Sequence, residues 1–382
     1  MMRFRNALFF ILIAILIPGG IFAQQGETPL RLFGYFQNQF KQEGNPVESR
    51  ESNTFVLQQL NVFFQKNLST HWSAFVNFEA LNSFSVSRNT GALNLEEAWV
   101  KYRLNKNFNL RLGLQIPTFN HLNRIKNRTP VLPYIIRPLI YEASLSEVIP
   151  VDEFTPSSAF LEAYGLFSAG EMKFEYAFSF GNSPNIRTVD DRGQSGVDST
   201  STFLVGGRLG MLFKGLKFGV SATYDKVNRF ADLADRFPVA ANTFNELPRL
   251  RLGADLLYRA GPVFLQGEVI QLDYENKTQF ANFDKTFFYG TFGVKPKEKL
   301  QCYLSVWRTR VNSVRPASNT QNGELVNFVD KTTSPSFGLA YNFLDRLVGK
   351  AQFTRFSRER TTQRVGAAPG FNIYSLAVSV MF

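Results

Sequence analysis

The sequence predicts an all-β protein, a transmembrane antiparallel β-barrel of about sixteen strands with short periplasmic turns and long external loops. Three observations carry this: apolar and polar residues alternate in segments of about ten, those segments repeat as hairpins along the chain, and an N-terminal apolar run suits export. The stretch Leu95 to Ile116 shows the alternation most clearly. Phe108, Leu110, Leu112, Leu114 and Ile116 alternate with Asn109, Arg111, Gly113 and Gln115, and before them Ala98, Val100, Tyr102 and Leu104 alternate with Glu97, Trp99, Lys101 and Arg103. Strand side chains point to opposite faces with period two, so each segment has one face for an apolar medium and one for water. Asn105, Lys106 and Asn107 are turn formers and make the pair a hairpin. A soluble sandwich also has one apolar face, so a single hairpin decides nothing. About eight in succession, with short and long connections alternating, belong to a barrel in lipid.

Arg3 and Arg5 precede the apolar run Ala7 to Ile17, and Pro18, Gly19 and Gly20 break it before Ile21-Phe22-Ala23. Residues 1–23 read as a secretory signal, which leaves 24–382 as the barrel. The run is too short to span a bilayer, for which a helix needs about 20 apolar residues. No compositional break follows, and the 40 phenylalanines at low overall hydropathy suit strands that are apolar on one face only. The formal charge of +11 falls to +9 once Arg3 and Arg5 leave. Lys and Arg are spread singly, without the clustered groove of a nucleic-acid binder, so the excess points to an anion-attracting lumen or to lipid phosphates. Cys302 is the sole cysteine, which excludes an intrachain disulfide, and its neighbours Leu300, Leu304 and Val306 place it on an apolar face. Two distant histidines and one cysteine make no metal site, and nothing resembles a phosphate-cradling glycine loop, so no cofactor is expected.

Taken in order, strands are expected over Leu30 to Phe40 and about Thr54 to Lys66, with polar Lys41 to Asn53 between them. In the third, Trp72, Ala74, Val76, Phe78 and Ala80 oppose Ser73, Asn77 and Glu79, with Phe75 out of pattern. Polar Asn82 to Asn94 leads into the hairpin described above, which ends at Pro117 because proline lacks an amide donor. Strands resume at Ala159 to Phe167 and at Met172 to Phe180, and then come a Gly, Ser and Asp-rich loop over Gly181 to Ser201, the hairpin Thr202 to Leu212 with Leu216 to Tyr224, and a polar connection over Asp225 to Pro248. Leu250, Leu252, Ala254, Leu256 and Tyr258 form the next apolar stripe, paired with Val263 to Tyr274. The pattern of that strand changes phase near Gln266 to Ile270, through a β-bulge or a slip of assignment. Lys285 to Val294, Leu300 to Arg310, Pro335 to Phe343 and Leu347 to Phe356 alternate more weakly. In the last strand, Phe371 to Phe382, the residues Tyr374, Leu376, Val378, Val380 and Phe382 share a face. Closure is demanded, because an open edge in lipid leaves amides unsatisfied.

The longest interruption, Pro117 to Ser157, holds a basic half with His121, Arg124, Lys126, Arg128 and Arg137 and an acidic half with Glu142, Glu147, Asp152 and Glu153. Its apolar pieces, Val131 to Ile136 and Leu139 to Tyr141, would lie exposed on a free surface loop. The segment is therefore expected to fold inward and narrow the lumen; the other reading leaves it outside. Glycines 113, 206, 210, 219 and 253 on the polar face leave room for such a loop or relieve curvature. Counting back from the turn places Lys101 beside Arg111. With Arg103, Arg208, Lys217, Arg249 and Arg251 these form a candidate anion track; in the competing reading they are ion pairs with Glu79, Glu97, Glu175, Asp255 and Glu268.

Phe382, with Tyr374 eight residues before it, resembles the assembly signal of Gram-negative outer-membrane proteins. The plan resembles a sixteen-stranded general porin, and RLFGYFQNQF and LEEAWVKYRLNKNFNLRLGLQIPTF are similar to stretches of the phosphate-selective porin O and P group. The resemblance implies export to the outer membrane, handling by the barrel assembly machinery, contact with outer-membrane lipids, a homotrimer, and passive diffusion of small hydrophilic solutes with a possible preference for anions or phosphate. Two alternatives stay open, a non-conducting adhesion barrel and an outer-membrane hydrolase, although neither His71 nor His121 has an obvious nucleophile or carboxylate partner.

Overall fold

The computed structural model describes residues 28–45, 50–81, 92–142, 154–156, 159–183, 202–227, 247–275, 283–316, 325–361 and 370–382. The signal segment 1–23, Glu147, Asp152 and Glu153 lie outside these residues. Sixteen strands follow one another: β1 (Arg31–Asn45), β2 (Arg50–Asn67), β3 (Trp72–Leu81), β4 (Ala92–Arg103), β5 (Asn109–Gln115), β6 (Ala159–Ala169), β7 (Met172–Gly181), β8 (Leu204–Phe213), β9 (Leu216–Val227), β10 (Leu247–Ala260), β11 (Val263–Tyr274), β12 (Phe283–Lys297), β13 (Leu300–Pro316), β14 (Leu325–Leu344), β15 (Leu347–Thr361) and β16 (Phe371–Met381). Each pairs with the next, and β1 pairs antiparallel with β16, so the sheet closes into the barrel that the sequence predicts.

At the seam, Gly34 and Phe382 exchange both backbone hydrogen bonds at 3.0 Å. The Phe382 ring lies over Gly34 so closely that a Cβ there would sit 2.7 Å from the ring. Tyr374 stands on the outer wall against Phe353, with centroids 5.0 Å apart.

The predicted hairpin has the expected phase and register. Leu112 faces outward with 55% of its surface exposed, Arg111 is buried inward, and Lys101 stands directly opposite Arg111. Two other expectations need correction. Lys41 to Asn53 is largely strand, with Lys41 opposite Thr54 and Glu43 opposite Ser52. Backbone pairing continues beyond the apolar band, where water on both faces removes the alternation that marked the strand. In β11 the register with β10 and β12 is unbroken, so the change of pattern near Gln266 to Ile270 is neither a bulge nor a slip. Phe264, Gln266, Glu268, Ile270 and Leu272 all point inward, and it is the medium on that side that changes. The weak alternation of the later strands has the same origin, because Phe287, Tyr289, Tyr303, Trp307 and Phe356 are buried on the inner wall.

A true bulge lies in β2. Gln37 pairs with Gln59 and Asn38 with Leu57, so Gln58 is the extra residue, and both glutamines end up buried inside.

Leu112→Arg is expected to destabilise the barrel by about 2–4 kcal/mol if that position lies near the bilayer midplane. Leu112→Phe, which keeps the outer wall apolar, should leave the midpoint of a refolding titration in lipid nearly unchanged. Equal midpoints for the two variants would show that Leu112 does not face lipid.

Candidate functional site: a segment held across the lumen

Beyond β5 the chain turns inward. Pro117 offers no amide to continue the sheet, and the Thr118 N–H donates to the Glu162 carboxylate on β6 at 2.7 Å. Asn120 takes a left-handed backbone conformation with φ of 52°, which asparagine tolerates better than most residues. It begins the single helical turn α1 (Asn120–Asn123). The Asn120 amide donates to Ser221 Oγ on β9 at 2.9 Å, and its side chain occupies the space above Gly253, where a Cβ would lie 2.4 Å from Asn120 Oδ1. Room for this segment is thus the reason for Gly253, whereas Gly210 and Gly219 leave room for the Arg208 guanidinium. Glu268 on β11 then accepts from the Leu122 amide and the Tyr141 hydroxyl, both at 2.6 Å.

The rest of the segment crosses to the opposite wall. Tyr134 donates to Thr291 on β12 at 2.8 Å. Gln352 on β15 accepts from the Ile135 and Ile136 amides at 2.7 and 3.0 Å and donates back to the Ile136 carbonyl at 3.0 Å, acting as one rung of a sheet ladder. The Lys350 ammonium donates to the Thr129 carbonyl at 2.5 Å, and the two bulge glutamines reach the Ile135 and Asn127 carbonyls, each at 2.8 Å. Irregular backbone inside a membrane barrel needs such partners, because an unpaired buried amide or carbonyl costs about 1–3 kcal/mol.

Apolar burial adds to these bonds. Phe119, Leu122, Ile136, Leu139, Ile140 and Phe154 join one cluster with the wall residues Ile270, Phe287, Tyr303, Trp307, Phe356 and Ile373. Each fully buried side chain of this size contributes about 1.5–3 kcal/mol relative to exposure. The apolar pieces noticed in the sequence, apart from the exposed Val131, therefore cover an apolar patch of the inner wall on β11 to β16.

Most of the basic residues singled out on the strands do not form an open track. Arg208 is bound by Asp255 at 2.7 Å and by Glu175, which also holds Lys217 at 3.1 Å. Arg249 and Arg251 share Asp225 at 2.6 and 3.1 Å, all three fully enclosed. Arg111 pairs with Glu162 at 2.7 Å. Like charges directly opposite one another are unfavourable, and acids relieve them from directly across the ladder, as Glu162 for Arg111 and Asp225 for Arg249, diagonally, as Asp225 for Arg251, or two strands away, as Asp255 for Arg208. Of the partners foreseen, Glu175 and Asp255 serve in this way. Glu79 instead accepts from Gln59, Glu97 from the Trp99 indole, and Glu268 holds the segment. Asp225 and Glu162 had no signal in the sequence, since each is recognisable only from cross-strand register.

Within the segment, Arg137 is buried against Glu142 at 3.3 Å and donates to the Lys126 carbonyl at 2.7 Å, so this pair stiffens the segment rather than facing water. Lys126 is half-buried. Among the described residues, Lys101, Arg103, Arg124 and Arg128 have no ion pair, and Arg103, Arg124 and Arg128 are exposed. Burial, and then the cations Lys217 and Arg208, push the His121 imidazole down to about 4. His71 sits in the β2–β3 turn, 2.9 Å from the Thr70 hydroxyl.

No protein-family model matches the chain, and no curated protein matches it in sequence. Solved structures do. The anion-selective porin from Comamonas acidovorans superposes with a TM-score of 0.60 at 10% identity, covering 93% of this chain and 99% of that one. The outer-membrane channel DcaP of Acinetobacter baumannii gives 0.60 at 9% identity, covering 96% and 100%. OmpT of Vibrio cholerae in a trimer form gives 0.54 at 10%, covering 93% and 99%. The fold is the porin fold. At such identities the likeness is one of architecture, and the site must be read from this chain's own residues.

Because the folded state holds His121 neutral, its contribution is fully present above its unfolded value of about 6.5 and is lost as pH falls towards about 4. Thermal melts should therefore show wild type losing more stability than His121→Gln between pH 7.5 and pH 4.5. Parallel losses would mean that His121 is hydrated and titrates normally.

Proposed function

We propose that this protein is an outer-membrane porin, a passive channel for small hydrophilic solutes that prefers anions, inorganic phosphate among them. The reading rests chiefly on the cations that remain outside ion pairs. Arg124 and Arg128 stand on the water-facing edge of the segment that crosses the lumen, and Lys101 and Arg103 stand on the wall of β4. A sixteen-stranded barrel leaves an aqueous channel unless something fills it, and a crossing segment narrows that channel where its own charges act at short range. Unpaired cations in a constriction attract anions and repel cations.

The same reading assigns residues 1–23 to a cleaved export signal, Tyr374 and Phe382 to recognition by the barrel assembly machinery, and the apolar outer wall to outer-membrane lipid. The trimer form of the Vibrio cholerae neighbour supports a homotrimer. Catalysis has no part in it, since the His71 ring meets a turn hydroxyl and the Tyr102 ring, and His121 lies among cations and carboxylates already engaged with them.

Single-channel recording in a KCl gradient tests the proposal. The wild-type reversal potential should lie on the chloride side, and Arg124→Glu with Arg128→Glu should move it towards potassium. A wild-type channel that is cation-selective would overturn the anion preference, and a folded barrel that carries no current would favour an adhesion barrel instead.

A further inference from the structure

On a water-filled inner wall, alternation should place polar side chains inward, and β1 to β4 break that rule near their short-turn ends. Phe33, Phe63, Phe75 and Trp99 hold inward positions in the same phase as Gln37, Asn61, Asn77 and Glu97. Phe33 stands opposite Phe63, and Phe75 opposite Trp99. Their ring centroids are 5.1 Å apart for Phe33 and Phe63, 5.6 Å for Phe63 and Phe75, and 4.8 Å for Phe75 and Trp99. The crossing segment does not cover this row. Its apolar cluster draws on the other half of the wall, Phe33 keeps 37% of its surface exposed, and Phe63, Phe75 and Trp99 are only half-buried.

The row ends at cations. The Arg111 guanidinium lies 5.1 Å from the Trp99 ring and 5.1 Å from that of Tyr164, and Arg124 reaches over Tyr164 at 5.9 Å. Lys101 is opposite Arg111, with Arg103 two residues further on the same face. The nearby acids are engaged, Glu162 with Arg111 and the Thr118 amide, and Glu97 with the Trp99 indole. Charge on Lys101, Arg103 and Arg124 thus remains for a solute, beside a stacked apolar surface that water wets poorly.

We propose that this wall is a binding site for aromatic carboxylates, with the ring of the solute lying on Phe75 and Trp99 and its carboxylate held by Lys101, Arg103 and Arg124. Each half of the recognition excludes a different competitor. An aliphatic acid offers no ring to cover the aromatic row, and an aromatic alcohol offers no charge to the cations. The proposal deepens the channel reading and rests on it for passage through the barrel, but binding itself requires only the folded wall.

Two measurements on the full-length barrel separate these. In planar bilayers, benzoate, acetate and benzyl alcohol are compared as blockers of the KCl current. Benzoate should interrupt the current at a concentration about tenfold below acetate, and benzyl alcohol should not reproduce its block. Phe75→Leu with Trp99→Leu should bring benzoate to the level of acetate, and Arg124→Gln should weaken both acids. In detergent, 4-nitrobenzoate should quench tryptophan fluorescence saturably, and the quenched component should disappear in Trp99→Phe, which keeps Trp72 and Trp307. A conducting wild-type channel that treats benzoate and acetate alike overturns the site and leaves the channel standing, as does a preference that survives the double leucine variant. Saturable quenching by a barrel that carries no current supports the site and overturns the channel. Absence of both overturns both.

Discussion

Hydrocarbon offers no hydrogen-bond partner to a peptide group, so every amide of a spanning strand must be met by another strand. That constraint brings the two ends of the chain together, β1 against β16, and explains why Gly34 lies beneath Phe382: two strands that meet only at closure need a position where one backbone can accept the other's terminal ring. Closure at sixteen strands in turn creates an interior too wide for side chains alone to fill. The remaining features of the molecule follow from how that interior is occupied.

Its two halves are built differently. On β11 to β16 the inner wall carries an apolar patch among polar side chains, and the segment after Pro117 covers that patch with its own apolar side chains, so the arrangement has the packing of a soluble core inside a membrane barrel. Neutral amides and buried charges then fix the irregular backbone: Gln58, Gln59 and Gln352 act as substitute strand partners, and Glu268 and Lys350 bind the two ends of the crossing. On β1 to β6 the wall is mostly polar, with Gln37, Asn61, Asn77, Glu79 and Glu162 buried, while the aromatic rings near the turns stay partly exposed with cations beside them. The proposed selectivity rests on this second half, because Arg208, Lys217, Arg249 and Arg251 of β8 to β10 are held in ion pairs by Asp225, Asp255 and Glu175.

Much of this was legible in the sequence, because alternation reports the medium on each side of a strand. Where lipid lies outside and water inside, as for Leu110, Leu112 and Leu114 against Arg111, the phase and even the Lys101 to Arg111 register can be read directly. Where the medium changes, the signal fails. Lys41 to Asn45 is strand with water on both sides, and Ile270 and Leu272 are inward residues with an apolar neighbour on that side too. Ion pairs were harder still, since Arg249 and Arg251 meet Asp225 only through the register of β9 with β10. Phe75, out of pattern in its strand, and Trp99, on the polar face of its own, were the visible signs of the aromatic row.

In the proposed channel the segment after Pro117 lies in the path of solutes, and cysteine modification at its edge tests that most directly. In a Cys302→Ser background, Arg128→Cys would be treated with an anionic methanethiosulfonate during single-channel recording. A stepwise change of current on modification is expected, because the new charge replaces the old at the narrowing. Complete modification, verified by mass, with an unaltered current would place Arg128 away from the conducting path and contradict a constriction at this segment.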